Sequence, residues 1–171
     1  MENLSMQKKL FETLWVILTL ISMTVNAEII SKQELPQKAL DYIQKYHPKA
    51  KEVFVEEKTH FGQPFYQVTF KESKVDQNNT PYEEEMGELF RPNGQLFTNI
   101  IFVEQHSFNI ISDQAIKSLQ STYPNYKILA VKMINNPNRY GEEYDIDLMV
   151  SGNILAVTLN NNGEILSEIR K

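Results

Sequence analysis

The chain has 171 residues, 42% of them hydrophobic and 11% aromatic, which suffices for one compact domain or two very small ones. That is too apolar for a disordered chain and too interrupted by charge for a multi-span membrane protein. The 22 acidic and 17 basic residues give a net charge of −5 and no basic stripe able to follow a phosphate backbone, so nucleic acid is not an expected partner. The lack of cysteine removes disulfides, thiol catalysis and thiolate metal sites together.

Residues 1–27 read as a secretory signal. Lys8 and Lys9 precede an apolar run, 10–25, interrupted by Glu12, and Val25-Asn26-Ala27 supplies small side chains at positions −3 and −1 of a cleavage site before Glu28. The uninterrupted apolar part, 14–21, is far short of the roughly 20 residues a spanning helix needs. A periplasmic or secreted protein with no stable membrane span after signal cleavage is expected; an uncleaved amphiphilic anchor is the alternative.

After residue 27 the pattern is written twice. Aligning Pro48 with Pro124 brings Ala39 onto Ala115, Leu40 onto Ile116 and Ile43 onto Leu119. Val53 and Val55 then fall on Leu129 and Val131. After a two-residue insertion Tyr66, Val68 and Phe70 fall on Tyr144, Ile146 and Leu148. Phe90, Asn93-Gly94 and Leu96 match Leu159, Asn162-Gly163 and Ile165.

The first segment of each copy has helical period, with Pro36 suited to a first turn, Pro48 to an end, and Ser112 to an N-cap followed by Asp113. The later segments alternate with period two and are separated by Ser151-Gly152 and the two Asn-Gly pairs, which tolerate the positive φ of tight hairpins. Strands are predicted near 51–57, 65–71, 82–90 and 95–103, and again near 128–135, 142–150, 153–160 and 164–170. The expected fold class is α+β: two tandem units, 28–103 and 104–171, each one helix packed on an antiparallel sheet of about four strands.

Leu35-Pro36 opening a helix, the Tyr46-His47-Pro48 ending with its Thr122-Tyr123-Pro124 counterpart, the Tyr-led alternating strands and the Asn-Gly turns resemble the PepSY-like, or β-lactamase-inhibitor-like (BLIP-like), proteins of bacterial periplasms. The resemblance covers nearly all of the mature chain. It implies a cystatin-like helix-on-sheet unit and, more loosely, binding to or inhibition of an extracytoplasmic enzyme such as a peptidase. It carries no catalytic residues. The loop 72–81 and the acidic strand Glu83-Glu84-Glu85 depart from the family pattern.

His47, His60 and His106 lack converging metal-ligand spacing, read as solvated surface residues, and no metal or cofactor is expected. Glu83, Glu84, Glu85 and Glu88, and Glu142, Glu143, Asp145 and Asp147, are numerous enough for an acid pair. Alternation, however, places Asp145 and Asp147 opposite Tyr144, Ile146 and Leu148, on the side expected to be solvent, where no acid–base division would arise. No serine-nucleophile motif or phosphate loop is present.

Aromatic groups are the better binding candidates: Phe61, and Arg139 and Tyr140, on corresponding hairpin loops, together with Phe54 on an outward strand face. The reading is an exported, non-enzymatic binding protein whose partner is an extracytoplasmic protein or peptide. The alternative is a small-ligand or peptide-binding protein with an apolar pocket between the two units, and a concave groove there would favour it.

Overall fold

The computed structural model describes residues 28–31, 34–138 and 141–171, with the backbone alone for 28–30. The signal segment lies outside the described residues. In chain order the elements are β1 (Glu28–Ile30), α1 (Gln37–Tyr46), β2 (Lys51–His60), β3 (Gln63–Val75), β4 (Pro81–Phe90) and β5 (Leu96–Val103). A short 3-10 helix (Gln105–Ile110) leads to α2 (Asp113–Thr122), β6 (Lys127–Asn135), β7 (Glu142–Val150), β8 (Asn153–Asn160) and β9 (Ile165–Arg170).

The two helices form for the reasons their sequences suggest. Pro36 takes the position before the first helical residue of α1, and Ala39 and Ile43 are the residues it buries. Ser112 caps α2: its Oγ accepts from the Ala115 N–H at 3.2 Å and donates to the Asn161 carbonyl at 2.6 Å, tying the helix to the turn between β8 and β9. That turn depends on Gly163, whose φ is +84° and where a Cβ would stand 2.5 Å from the Gln114 carbonyl oxygen.

The expected pair of four-stranded units is not what the chain forms. The strands make one continuous antiparallel sheet in the order β1-β2-β3-β4-β5-β6-β7-β8-β9. The join is β5 to β6, where Ile100, Ile101, Phe102 and Val103 pair with Ile134, Met133, Lys132 and Val131. Two separate sheets would each leave one of these strands as an unpaired edge, and zipping them together satisfies both rows of backbone groups.

Both helices lie on one face. Leu35, Ala39 and Ile43 pack with Val55, Val68, Phe70 and Phe90, while Ala115 and Leu119 pack with Val131, Tyr144, Ile146, Leu148, Val157 and Leu159. The other face curls on itself and holds a third cluster of Phe65, Leu89, Ile100 and Ile134, edged by Phe61, Phe97 and Phe102. In consequence β3 and β7 are buried on both faces, and Gln67 and Thr69 of β3 and Glu143 and Asp145 of β7 are buried on the curled one. Half of the loop expected at 72–81 is strand: β3 and β4 pair as far as Val75 with Pro81, and the turn is confined to 76–80.

Candidate functional site

The curl brings β2 against β7, strands five places apart in the sheet order. Alternation puts Glu56, Lys58 and His60 on one face of β2, and Glu143, Asp145 and Asp147 on the facing side of β7. The two rows run antiparallel. His60 Nδ1 lies 2.9 Å from Glu143 Oε2, and two residues along each strand Lys58 Nζ donates to Asp145 Oδ2 at 2.5 Å. Thr158 on β8 donates from Oγ1 to Asp145 Oδ1 at 2.7 Å.

Glu143 has a second task. Its Oε1 accepts the Phe61 N–H at 2.7 Å, which pins the β2–β3 turn, where Phe61 and Gly62 both adopt positive φ, of 52° and 70°. On the far side of the imidazole, His60 Nε2 lies 3.3 Å from Gln67 Oε1, and Gln67 Nε2 donates to Glu56 Oε2 at 3.3 Å. Both ring nitrogens of His60 thus face oxygens.

Electrostatics follow from this geometry. Burial by itself disfavours a charge on Asp145, but Lys58, His60 and the Thr158 hydroxyl outweigh it and hold the carboxyl well below the usual range. Burial likewise works against the Lys58 ammonium, and the neighbouring Asp145, Glu56 and Asp147 charges more than offset it, so its pKa is raised.

Continued by one more pair, the ladder would set Glu56 against Asp147, two acids. There the walls part and a cleft of about 580 Å³ opens. Its sides come from Glu56, Lys58 and Thr59 of β2, Ala130 and Lys132 of β6, and Asp145 and Asp147 of β7. Ala156 and Thr158 of β8 and Ser167 and Ile169 of β9 complete it, and Lys171 reaches Asp147 Oδ2 at 2.7 Å.

The binding candidates from the sequence divide. Phe61 borders the cleft, with its ring centroid 6.1 Å from that of Phe97. Phe54 is 58% exposed and stands apart from the cleft lining. Arg139 and Tyr140 lie outside the described residues. Of the histidines, only His106 is the exposed residue expected; His60 is fully buried, and His47 bridges Glu72 Oε1 (3.2 Å) and Glu88 Oε1 (2.9 Å) at the end of α1.

No sequence motif marks the residues that build the clamp, Lys58, His60, Glu143 and Asp145, as a set. Each row is visible as alternation within its strand; their meeting depends on the curl. Among the described residues no group of three or more potential ligands could hold a metal ion, and no helix is long and apolar enough to cross a membrane.

The chain matches no protein-family model and no curated protein. Among solved structures it is similar to a BLIP-like protein from Bacteroides fragilis, 18% identical over 80% of this chain and 86% of that one, with a TM-score of 0.42. DUF2874 family proteins from Bacteroides uniformis (12% identical, 79% and 88% covered, TM-score 0.43) and Bacteroides ovatus (16%, 80% and 87%, 0.42) also match. Of the two names in the sequence resemblance, the inhibitor-like one recurs here.

Proposed function

We propose that this is an exported, non-enzymatic binding protein that holds its ligand in the cleft between β2 and β6–β9. The observation that carries the proposal is the cleft itself: about 580 Å³, within the roughly 300–1,000 Å³ typical of ligand sites, with apolar wall patches between fixed charges. It is the inter-half groove that favours ligand binding over a flat recognition face. The acids at its base support a binding rather than a catalytic role. Asp145 is held ionised by Lys58, and both oxygens of Glu143 are engaged, one by His60 and one by the Phe61 N–H. Export rests on the signal layout of residues 1–27.

The test is occupancy. Mature protein purified from its native envelope and analysed by native mass spectrometry should carry a small ligand, and Ala156→Trp, which fills the cleft, should lose it. Each form at the mass of its own bare polypeptide after gentle purification, with no small molecule in either, counts against the cleft.

A second reading is an inhibitor or modulator that engages an extracytoplasmic enzyme such as a peptidase through exposed aromatic groups. Phe54, 58% exposed on β2, is the observation that favours it. A pull-down from envelope extract in which Phe54→Ala loses a partner that Ala156→Trp retains supports this reading over the first.

A further inference from the structure

We infer that the ligand of the cleft is a short peptide with both termini free, its carboxylate held by Lys132 and its ammonium by Glu56. The inference rests on the cleft-binding reading above and deepens it.

The argument is one of charge pairing. Three cations line the cleft, Lys58, Lys132 and Lys171, and four acids, Glu56, Glu143, Asp145 and Asp147. Lys58 is taken by Asp145, Lys171 by Asp147, and Glu143 by His60. Among the described residues Lys132 has no carboxylate in salt-bridge range; its Nζ lies 5.4 Å from the centre of the Phe102 ring. Glu56 has none of the cations in that range either, and accepts one hydrogen bond, from the neutral Gln67. One positive and one negative group therefore remain.

They stand on different walls. Glu56 belongs to β2 and Lys132 to β6, with three strands between them in the sheet order. A wholly apolar ligand would strip water from both groups and return nothing, and a singly charged one would satisfy only one of them. A zwitterion satisfies both with charge-assisted hydrogen bonds of opposite polarity, which also fixes its direction in the cleft. In the same cleft Ala130, Ala156 and Ile169 offer small and apolar surface for side chains. The volume accommodates more than one residue, which favours a peptide over a single amino acid.

The test is calorimetry on the mature chain with the dipeptide Leu-Ala, its N-acetyl form and its C-amide form, against wild type, Glu56→Gln, Lys132→Met and Ala156→Trp. Urea midpoints establish that each variant is folded. Unblocked Leu-Ala should bind, and blocking either end should weaken it about tenfold or more, the scale of a lost charge-assisted contact. Acetylation should cost nothing further in Glu56→Gln, and amidation nothing further in Lys132→Met. That crossed pattern is one a merely structural role for either residue does not produce.

Blocked and unblocked peptides binding alike, or both variants leaving affinity unchanged while Ala156→Trp abolishes it, overturns the assignment and leaves the cleft reading intact. Absence of Leu-Ala binding to wild type, alongside a co-purified ligand lost in Ala156→Trp, does the same. Leu-Ala binding that persists in Ala156→Trp overturns both.

Discussion

His60 and Glu143 are 83 residues apart in the chain and 2.9 Å apart in space, and their contact closes β2 onto β7. Glu143 also holds the Phe61 N–H, so one carboxylate serves two donors of the β2–β3 hairpin. Glu143→Leu should therefore cost more than a surface substitution: the buried His60 imidazole and the part-buried Phe61 N–H both lose their partner, at about 1–3 kcal/mol each. Urea denaturation measures the loss. Hydrogen exchange should show it as reduced protection at the β2–β3 turn before the helix-side strands change.

Lys58 and Asp145 are a partly buried pair, with 18% and 9% of the side chains exposed. Lys58→Met leaves the Asp145 charge without its main partner, and should destabilise by about 3–5 kcal/mol. Replacing both, as Lys58→Met with Asp145→Leu, should recover much of that loss. A double-mutant cycle in urea checks the ordering; a double variant no better than the single one would show that the pair does not act as a unit.

Acid should weaken this clamp in a defined direction. The folded pKa of Asp145 lies below its unfolded value, about 3.9, so its contribution is complete above that value and is lost as pH falls through the folded pKa. The stability advantage of wild type over Asp145→Asn should be constant near neutrality and shrink below about pH 4. Urea midpoints between pH 3 and 8 provide the comparison.

Glu88 should behave in the opposite sense. Burial raises its pKa, only partly countered by the hydrogen bond and charge of His47, and its Oε2 is a buried oxygen with no partner. Ionisation then costs the folded state, so stability is lost as pH rises through the folded pKa. Glu88→Gln removes that dependence, and its stability relative to wild type should improve as pH rises from about 4, measured by the same midpoints.

Gly163 and Gly152 separate backbone strain from steric conflict. Both have positive φ, +84° and +83°, but only at Gly163 would a Cβ meet another group, 2.5 Å from the Gln114 carbonyl, while at Gly152 nothing lies within 4 Å. Gly152→Ala should cost about 1–2 kcal/mol from the left-handed conformation alone. Gly163→Ala should cost clearly more, with the difference appearing as weakened packing of α2, visible in thermal unfolding.

Much of the local structure was legible in the residues. Ser112 read as a cap, and the alternation around Tyr144, Ile146 and Leu148 marked the face that meets α2. The same alternation put Asp145 and Asp147 on the opposite side correctly. What failed was equating that side with water. The stretch 72–75 reads as loop for a related reason, since the consecutive polar residues Glu72, Ser73 and Lys74 carry no strand alternation until β4 is laid beside them.

Helix period, strand alternation and turn chemistry are local properties, each settled by residues within a few positions of one another, and those are what one-dimensional pattern expresses. Whether β5 pairs with β6 instead of ending its own sheet, and whether β2 then curls onto β7, depends on edges and faces brought together from distant segments. That decision turned two half-sized sheets into one, moved His60, Glu143 and Asp145 from an expected surface into a buried clamp, and left a cleft between β2 and β6–β9.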